Sequence, residues 1–204
     1  MAAGSTARPR SWRSWKRSTR NARQQRIVAD DIGGAFDPDR VLETLERHGV
    51  EYLLVGGLAA RAHGAQRRTA DVDCVPNATT ENLTRLAAAL IELDARLRVG
   101  GLTDEEARRL PVTIDAETLL SFGSSTWMTD AGPLDLLVEL RDRDGGRHDY
   151  AELATRAVGY GVGSITVRLA SLDDIVASKE FAGRDKDRQA LPELNELLRR
   201  QQSG

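Results

Sequence analysis

Three aspartates carry the chemistry this sequence suggests. Asp71 and Asp73 flank Val72, and a strand turns residues i and i+2 to the same side. Two carboxylates on one side repel each other unless a cation sits between them. Mg²⁺ prefers oxygen ligands and commonly shares its shell with substrate phosphates. Asp135 stands among Leu134, Leu136, Leu137 and Val138, where a carboxylate without a partner is costly if buried. Three such groups could hold two Mg²⁺ ions roughly 3.5–4 Å apart, the arrangement of phosphoryl and nucleotidyl transfer, with Asp135 near the attacking hydroxyl. Taken singly, each aspartate also fits a solvated strand face or a turn.

A second feature lies upstream. Gly56 and Gly57 follow the apolar run Tyr52-Leu53-Leu54-Val55. Paired glycines let the backbone approach a ligand closely and expose N–H groups at a helix N-terminus, where an anion is stabilised. Any tight strand-to-helix turn also favours glycine, so this pair gains meaning from what surrounds it.

These residues need elements to position them. Asp39 to His48 reads as a helix after Pro38, with Val41, Leu42 and Leu45 at helical spacing and Gly49 ending it. Tyr52 to Val55 reads as a buried strand, followed by a helix from near Leu58 to near Gly64. Ala70 to Val75 is the next strand, broken by Pro76. Asn77-Ala78-Thr79-Thr80 offers an N-cap for an amphipathic helix over Glu81 to Leu93. Residues 99–122 are weakly patterned apart from a short helix at Asp104 to Arg109. Strands are expected at Ser125 to Met128, Leu134 to Leu140 and Ile165 to Leu169, with turn chemistry at Gly132-Pro133 and Asp144-Gly145-Gly146. Tyr150 to Ala157 reads as a helix, Ser171 caps another with Asp174 three residues on, and a last helix runs from about Lys186 to Arg200 with Pro192 near its first turn. The alternation predicts an α/β (α+β) fold: a small mixed sheet flanked by helices, with a helical C-terminal part.

Composition narrows the function classes. The chain has 204 residues, 40% hydrophobic and 29% charged, which is ordinary for a soluble globular protein. The single cysteine, Cys74, excludes an internal disulfide and a cysteine-based zinc site, and the three histidines are scattered. No apolar run approaches the ~20 residues of a membrane span, so a cytoplasmic protein is expected. Residues 1–28 carry eight basic side chains and no acid, leaving 21 basic against 31 acidic residues beyond them. The expected layout is a basic, disordered arm over 1–30, a core over 31–145 and a mainly helical part over 146–204 that completes the active-site cleft. The arm is either an electrostatic grip on RNA phosphates, with Trp12 and Trp15 available to stack on bases, or an extension without a role.

The order strand, Gly56-Gly57, helix, Asp71-Val72-Asp73 and a later Asp135 resembles the polymerase-β-like nucleotidyltransferase superfamily over roughly residues 37–140. The segment from Leu54 to Gly64, with Arg67-Arg68-Thr69-Ala70-Asp71-Val72-Asp73, resembles the AbiEii-like and MenT-like toxin branch. The wider superfamily has Gly-Ser after the first strand; here Gly57 stands in the Ser position, so backbone N–H groups must serve the phosphates instead. The stretch Leu172 to Lys179, followed by Gly183-Arg184-Asp185-Lys186-Asp187, looks like the element that faces the active site. The resemblance implies that Lys179 and Lys186, on one face of a continuous helix, bind the β- and γ-phosphates. Asp187 would orient Lys179 or an acceptor group, and Arg68 would reach the triphosphate. Thr69 would be a site of regulatory phosphorylation by a partner, or simply a good strand residue.

The same resemblance implies an Mg²⁺-dependent enzyme, with Mn²⁺ as an alternative ion, that takes an NTP and transfers NMP, pyrimidine favoured, to the 3′ end of tRNA. It would be the toxin of a bacterial toxin–antitoxin pair, with a cognate antitoxin as partner. The rivals are a nucleotidyltransferase acting on a small molecule or a protein, and a non-catalytic NTP-binding antitoxin or scaffold on the same fold.

Overall fold

The computed structural model describes residues 36–203. The arm expected at residues 1–28 lies outside them.

Helix α1 (Pro38–Arg47) starts one residue before the expected Asp39, because the Asp37 side chain accepts a hydrogen bond from Arg40 N at 3.1 Å and Pro38 needs no donor at the first helical position. It buries Val41, Leu42 and Leu45. Strand β1 (Tyr52–Val55) is buried along its whole length and leads directly into α2 (Gly56–Ala62). The helix thus begins two residues earlier than the sequence reading, with both glycines inside its first turn. Strand β2 (Val72–Pro76) precedes α3 (Thr80–Glu92), which is capped by the Thr79 hydroxyl. Two residues, Arg96–Leu97, form β3. A capping box at Thr103 and Glu106 opens α4 (Asp104–Arg108). The weakly patterned stretch also holds α5 (Ala116–Phe122), capped by Asp115.

Strand β4 (Ser125–Thr129) turns back into β5 (Gly132–Leu136). Gly132 and Pro133 are therefore part of the strand, not the turn before it, because the reversal is made by Asp130 and Ala131. The strand ends at Leu136, short of the expected Leu140, while Leu140–Arg141 (β6) pairs instead with Arg147–His148 (β7) as a separate ribbon. Helix α6 (Tyr150–Ala154) is followed by an unexpected strand, β8 (Val158–Val162), and then by β9 (Ile165–Leu169). Two helices close the described chain, α7 (Leu172–Ala182) and α8 (Asp185–Gln202). Gly183, at φ 56°, separates them in the left-handed region. Lys179 and Lys186 are consequently not on one continuous helix. Pro192 lies two turns inside α8, not near its start, and is exposed there.

The main sheet has seven strands in the order β3-β4-β5-β2-β1-β9-β8. β1 runs antiparallel to β2 and parallel to β9, and β2 runs parallel to β5. The sheet is mixed, as the sequence led us to expect, and its two central strands are the ones that flank the glycine pair and the first two aspartates. β8 and β9, from the part after residue 146, belong to this same sheet. Fully buried Leu53, Leu54, Leu86, Leu90, Trp127 and Leu134 lie in the core formed by sheet and helices.

The β1–β2 register is held at the end remote from the carboxylates. Asn82, fully buried, accepts from Glu51 N at 2.7 Å and donates to the carbonyls of Glu51 and Asn77 at 2.9 and 2.8 Å. Replacing Asn82 with Ala removes all three part-buried bonds, although the Glu51 carbonyl keeps its bond from Asn77 N. We expect a loss of roughly 2–4 kcal/mol of stability, read by chemical denaturation, from bonds worth about 1 kcal/mol each plus the penalty for unmade ones.

Candidate active site

The register of the sheet builds the acidic cluster. Asp73 stands opposite Val55 on one side and Asp135 on the other, and Asp71 precedes Val72 at the start of the strand. Asp71, Asp73 and Asp135 each place one carboxylate oxygen within 4.8 Å of the others. All three are partly buried. Asp135 Oδ1 is buried without a hydrogen-bond partner. A hard cation that takes several oxygens satisfies such a trio, so the residues fit Mg²⁺ or Mn²⁺.

The electrostatics agree. The Asp73 carboxyl is pushed up to about 7, first by burial and then by the charges of Asp71 and Asp135; the Gly57 N–H and Lys179 offset part of this. The ordinary value is about 3.9. The folded, metal-free protein therefore holds a proton on Asp73 that the unfolded chain gives up.

The glycines are required by close approach. Gly56 has φ 63°, and a Cβ there would lie 2.0 Å from Asp73 Oδ2. A Cβ on Gly57 would lie 2.5 Å from Thr69 Oγ1. The Thr69 side chain thus fills the space into which residue 57 would project. Its hydroxyl donates to Asp71 Oδ1 at 2.7 Å. A hydroxyl is present beside the glycine pair after all, supplied by a different segment of the chain.

One cavity of about 330 Å³ gathers these groups. Gly56, Gly57, Arg68, Thr69, Asp71, Asp73 and Asp135 line it, and Lys179 and Lys186 line it despite the break between their helices. Asp187 is the expected site residue that does not. It is fully buried, accepting from Lys179 Nζ at 3.1 Å and from Arg184 Nε at 2.6 Å. Burial opposes its ionisation, but these two cations outweigh it and hold its pKa below the usual carboxylate range. Asp187 therefore positions Lys179 from below. Arg184, from the segment expected to face the site, and Arg67, from the motif before Asp71, also line this wall, as does Glu193, which sequence reasoning missed. Gln66 N donates to Glu193 Oε1 at 2.6 Å and Arg67 Nη2 to Gln189 Oε1 at 3.2 Å, which ties the loop before Asp71 to α8. No spacing rule joins residues so far apart, so no local signal marked them.

No protein-family profile and no curated protein matches the sequence. Among solved structures, the chain is similar to the lincosamide antibiotic adenylyltransferase LnuA in its lincomycin-bound form, with a TM-score of 0.53 and 13% identity over 81% of this chain and 99% of that one. It is also similar to the antibiotic-resistance factor ANT(2'')-Ia in complex with adenylyl-2''-tobramycin, with a TM-score of 0.50 and 15% identity over 78% of this chain and 86% of that one.

Two outcomes are expected. Gly57→Ser drives a side chain into Thr69 and should weaken Mg·NTP binding about tenfold or more, the cost of overpacking a tight site. Adding Thr69→Ala to Gly57→Ser should recover most of it, as measured by calorimetry. The second concerns pH. Between about pH 4 and pH 7 the folded protein binds more protons than the unfolded chain because of Asp73, so metal-free stability falls as pH rises through that window. Mg²⁺ must displace this proton. Its affinity should drop below pH 7, with proton release visible as a buffer-dependent heat at pH 6 and much less at pH 8.

At this level of similarity the comparison establishes architecture: the chain has the nucleotidyltransferase fold.

Proposed function

We propose that this protein is an Mg²⁺-dependent nucleotidyltransferase and the toxin of a bacterial toxin–antitoxin pair, moving NMP from an NTP, pyrimidine favoured, to the 3′ end of tRNA. The observation that carries the enzymatic reading is the meeting of Asp71, Asp73 and Asp135 with Lys179, Lys186 and Arg184 around one cavity. Carboxylates on one wall and cations on the other suit a metal-bound triphosphate.

When bound at the three carboxylates, Mg²⁺ supplies charge neutralisation at the phosphates and a more acidic attacking hydroxyl. The protein's own groups do the rest. The positive N-terminal end of α2 at Gly56-Gly57 receives the phosphates, while the Thr69 hydroxyl, donating to Asp71 Oδ1, fixes that carboxylate for the metal. In this reading the acceptor hydroxyl enters beside Asp135, which takes its proton as that oxygen bonds to the α-phosphorus. The bond from the α-phosphorus to the bridging oxygen breaks, and pyrophosphate leaves. Lys179, held by Asp187, neutralises the charge that develops on it, with Lys186 and Arg184 beside it.

The tRNA acceptor and the antitoxin partner are supported by the resemblance of residues 54–73 to the toxin branch. Thr69, hydrogen-bonded to Asp71, is where a phosphate would add about -1.5 to -2 charge beside the carboxylates. That would oppose both metal and NTP, giving an antitoxin kinase a direct means of control.

The test is incubation with total bacterial tRNA, Mg²⁺ and each α-labelled NTP in turn, beside an Asp71→Ala, Asp73→Ala double variant. Label in tRNA from one NTP, abolished in the variant, is the expected result. Mg·NTP binding without label in tRNA sinks the acceptor assignment, and transfer to a lincosamide or aminoglycoside would replace it.

A further inference from the structure

Asp135 borders two cavities. The first is the cation-lined one that holds Lys179; the second, about 420 Å³, lies on the other side of the same carboxylate. The sheet register explains the link. Asp73 faces Asp135 across β2–β5, and Asp135 faces Thr126 across β5–β4. Arg98, one residue past β3, donates its backbone N–H to Thr126 O at 2.8 Å. Directly opposed residues in neighbouring strands share a face of the sheet. Carboxylate, carboxylate, hydroxyl and guanidinium thus follow one another in a single row, with Arg98 about 10 Å, two strand spacings, from Asp135.

The second cavity differs in charge from the first. Asp135 is its only carboxylate, and Arg98 its only cation, among the described residues. Arg98 is exposed and has no ion-pair partner among the described residues. Phe122 lines the same space, 41% exposed, its ring 6.5 Å from that of fully buried Trp127 and tilted 45° to it. A half-exposed aromatic ring backed by a fixed one is a stacking surface for a flat base. An unpaired arginine beside it meets a phosphate. An acceptor carrying several ammonium groups would find no carboxylate here except the one already committed to the reaction.

We propose that this second cavity is the acceptor site, and that it takes the 3′-terminal nucleotide of an RNA: base on Phe122, 3′-hydroxyl at Asp135, neighbouring phosphate at Arg98. The inference rests on the proposed enzymatic function and deepens it by assigning residues to the acceptor. The NTP occupies the cavity on the Lys179 side, and the two substrates meet at Asp135. In the chemical step the RNA 3′-oxygen forms the new bond to the α-phosphorus, its proton passes to Asp135, and pyrophosphate leaves.

The test uses the full chain and three variants, Arg98→Ala, Arg98→Lys and Phe122→Ala. Binding of a fluorescent RNA ending in a free 3′-hydroxyl is measured by anisotropy without Mg²⁺ or NTP, and Mg·NTP binding separately. We expect Arg98→Ala and Phe122→Ala each to weaken RNA binding about tenfold while Mg·NTP binding is unchanged. Arg98→Ala should also make the slope of log affinity against log salt shallower by about 0.7, the loss of one single-strand phosphate contact. Arg98→Lys should keep that slope. If native protein labels RNA while Arg98→Ala and Phe122→Ala bind RNA like native, this acceptor site is wrong and the enzymatic reading survives. If native protein binds Mg·NTP but neither binds nor labels RNA, the RNA reading falls and this site falls with it.

Discussion

The constraint on which the rest of the structure depends is the mutual repulsion of three carboxylates in one partly buried cluster. Their proximity is imposed by backbone pairing: β2 lies between β1 and β5, and the shared register sets Asp73 beside Asp135. Neither aspartate can retreat without slipping a central strand, and a one-residue slip turns every side chain to the opposite face. The fold therefore holds a charge arrangement that it would not adopt for its own stability. Asp73 answers by keeping a proton near neutrality, and Asp135 Oδ1 by remaining unpartnered. Groups in that condition are poised for a ligand that supplies positive charge.

The opposite wall solves the complementary problem of keeping cations near the site without letting them collapse onto the carboxylates. Asp187 does this by engaging Lys179 and Arg184 from beneath. A buried ion pair of this kind contributes little net stability, but removing one partner leaves a charge stranded, at about 3–5 kcal/mol. The left-handed Gly183 lets α8 turn back so that Asp187 reaches Lys179, eight residues earlier. The break that separates the two lysines along the chain is thus what allows both to face the cavity.

Much of this was legible in the sequence, for local reasons. An Asp-x-Asp pair on a short strand has one geometric outcome, and a glycine pair between an apolar strand and a helix has few. Ser171 and Thr79 announced their helices through capping chemistry that acts over three residues. The misses have equally definite causes. Two glycines dilute the strand signal of Val158-Gly159-Tyr160-Gly161-Val162, although β9 pairs with it along its length. The apolar run after Asp135 reads as one strand to Leu140, yet Leu137 N bonds to Cys74 O and the chain then leaves the sheet. The Thr69 hydroxyl beside Gly57, the tether from Gln66 to Glu193 and the row ending at Arg98 depend on tertiary register, which no window of residues contains.

The tether of Gln66 to Glu193 joins residues 127 positions apart in the chain. A contact of that separation carries the entropic cost of closing a very long loop. During synthesis, the glycine turn and the first two aspartates can take shape around β1 and β2 while α8 is still being made. The cation wall cannot. A nascent chain would carry the acidic half of the site without Lys186 or the brace on Lys179, so competence for chemistry arrives only when α8 docks.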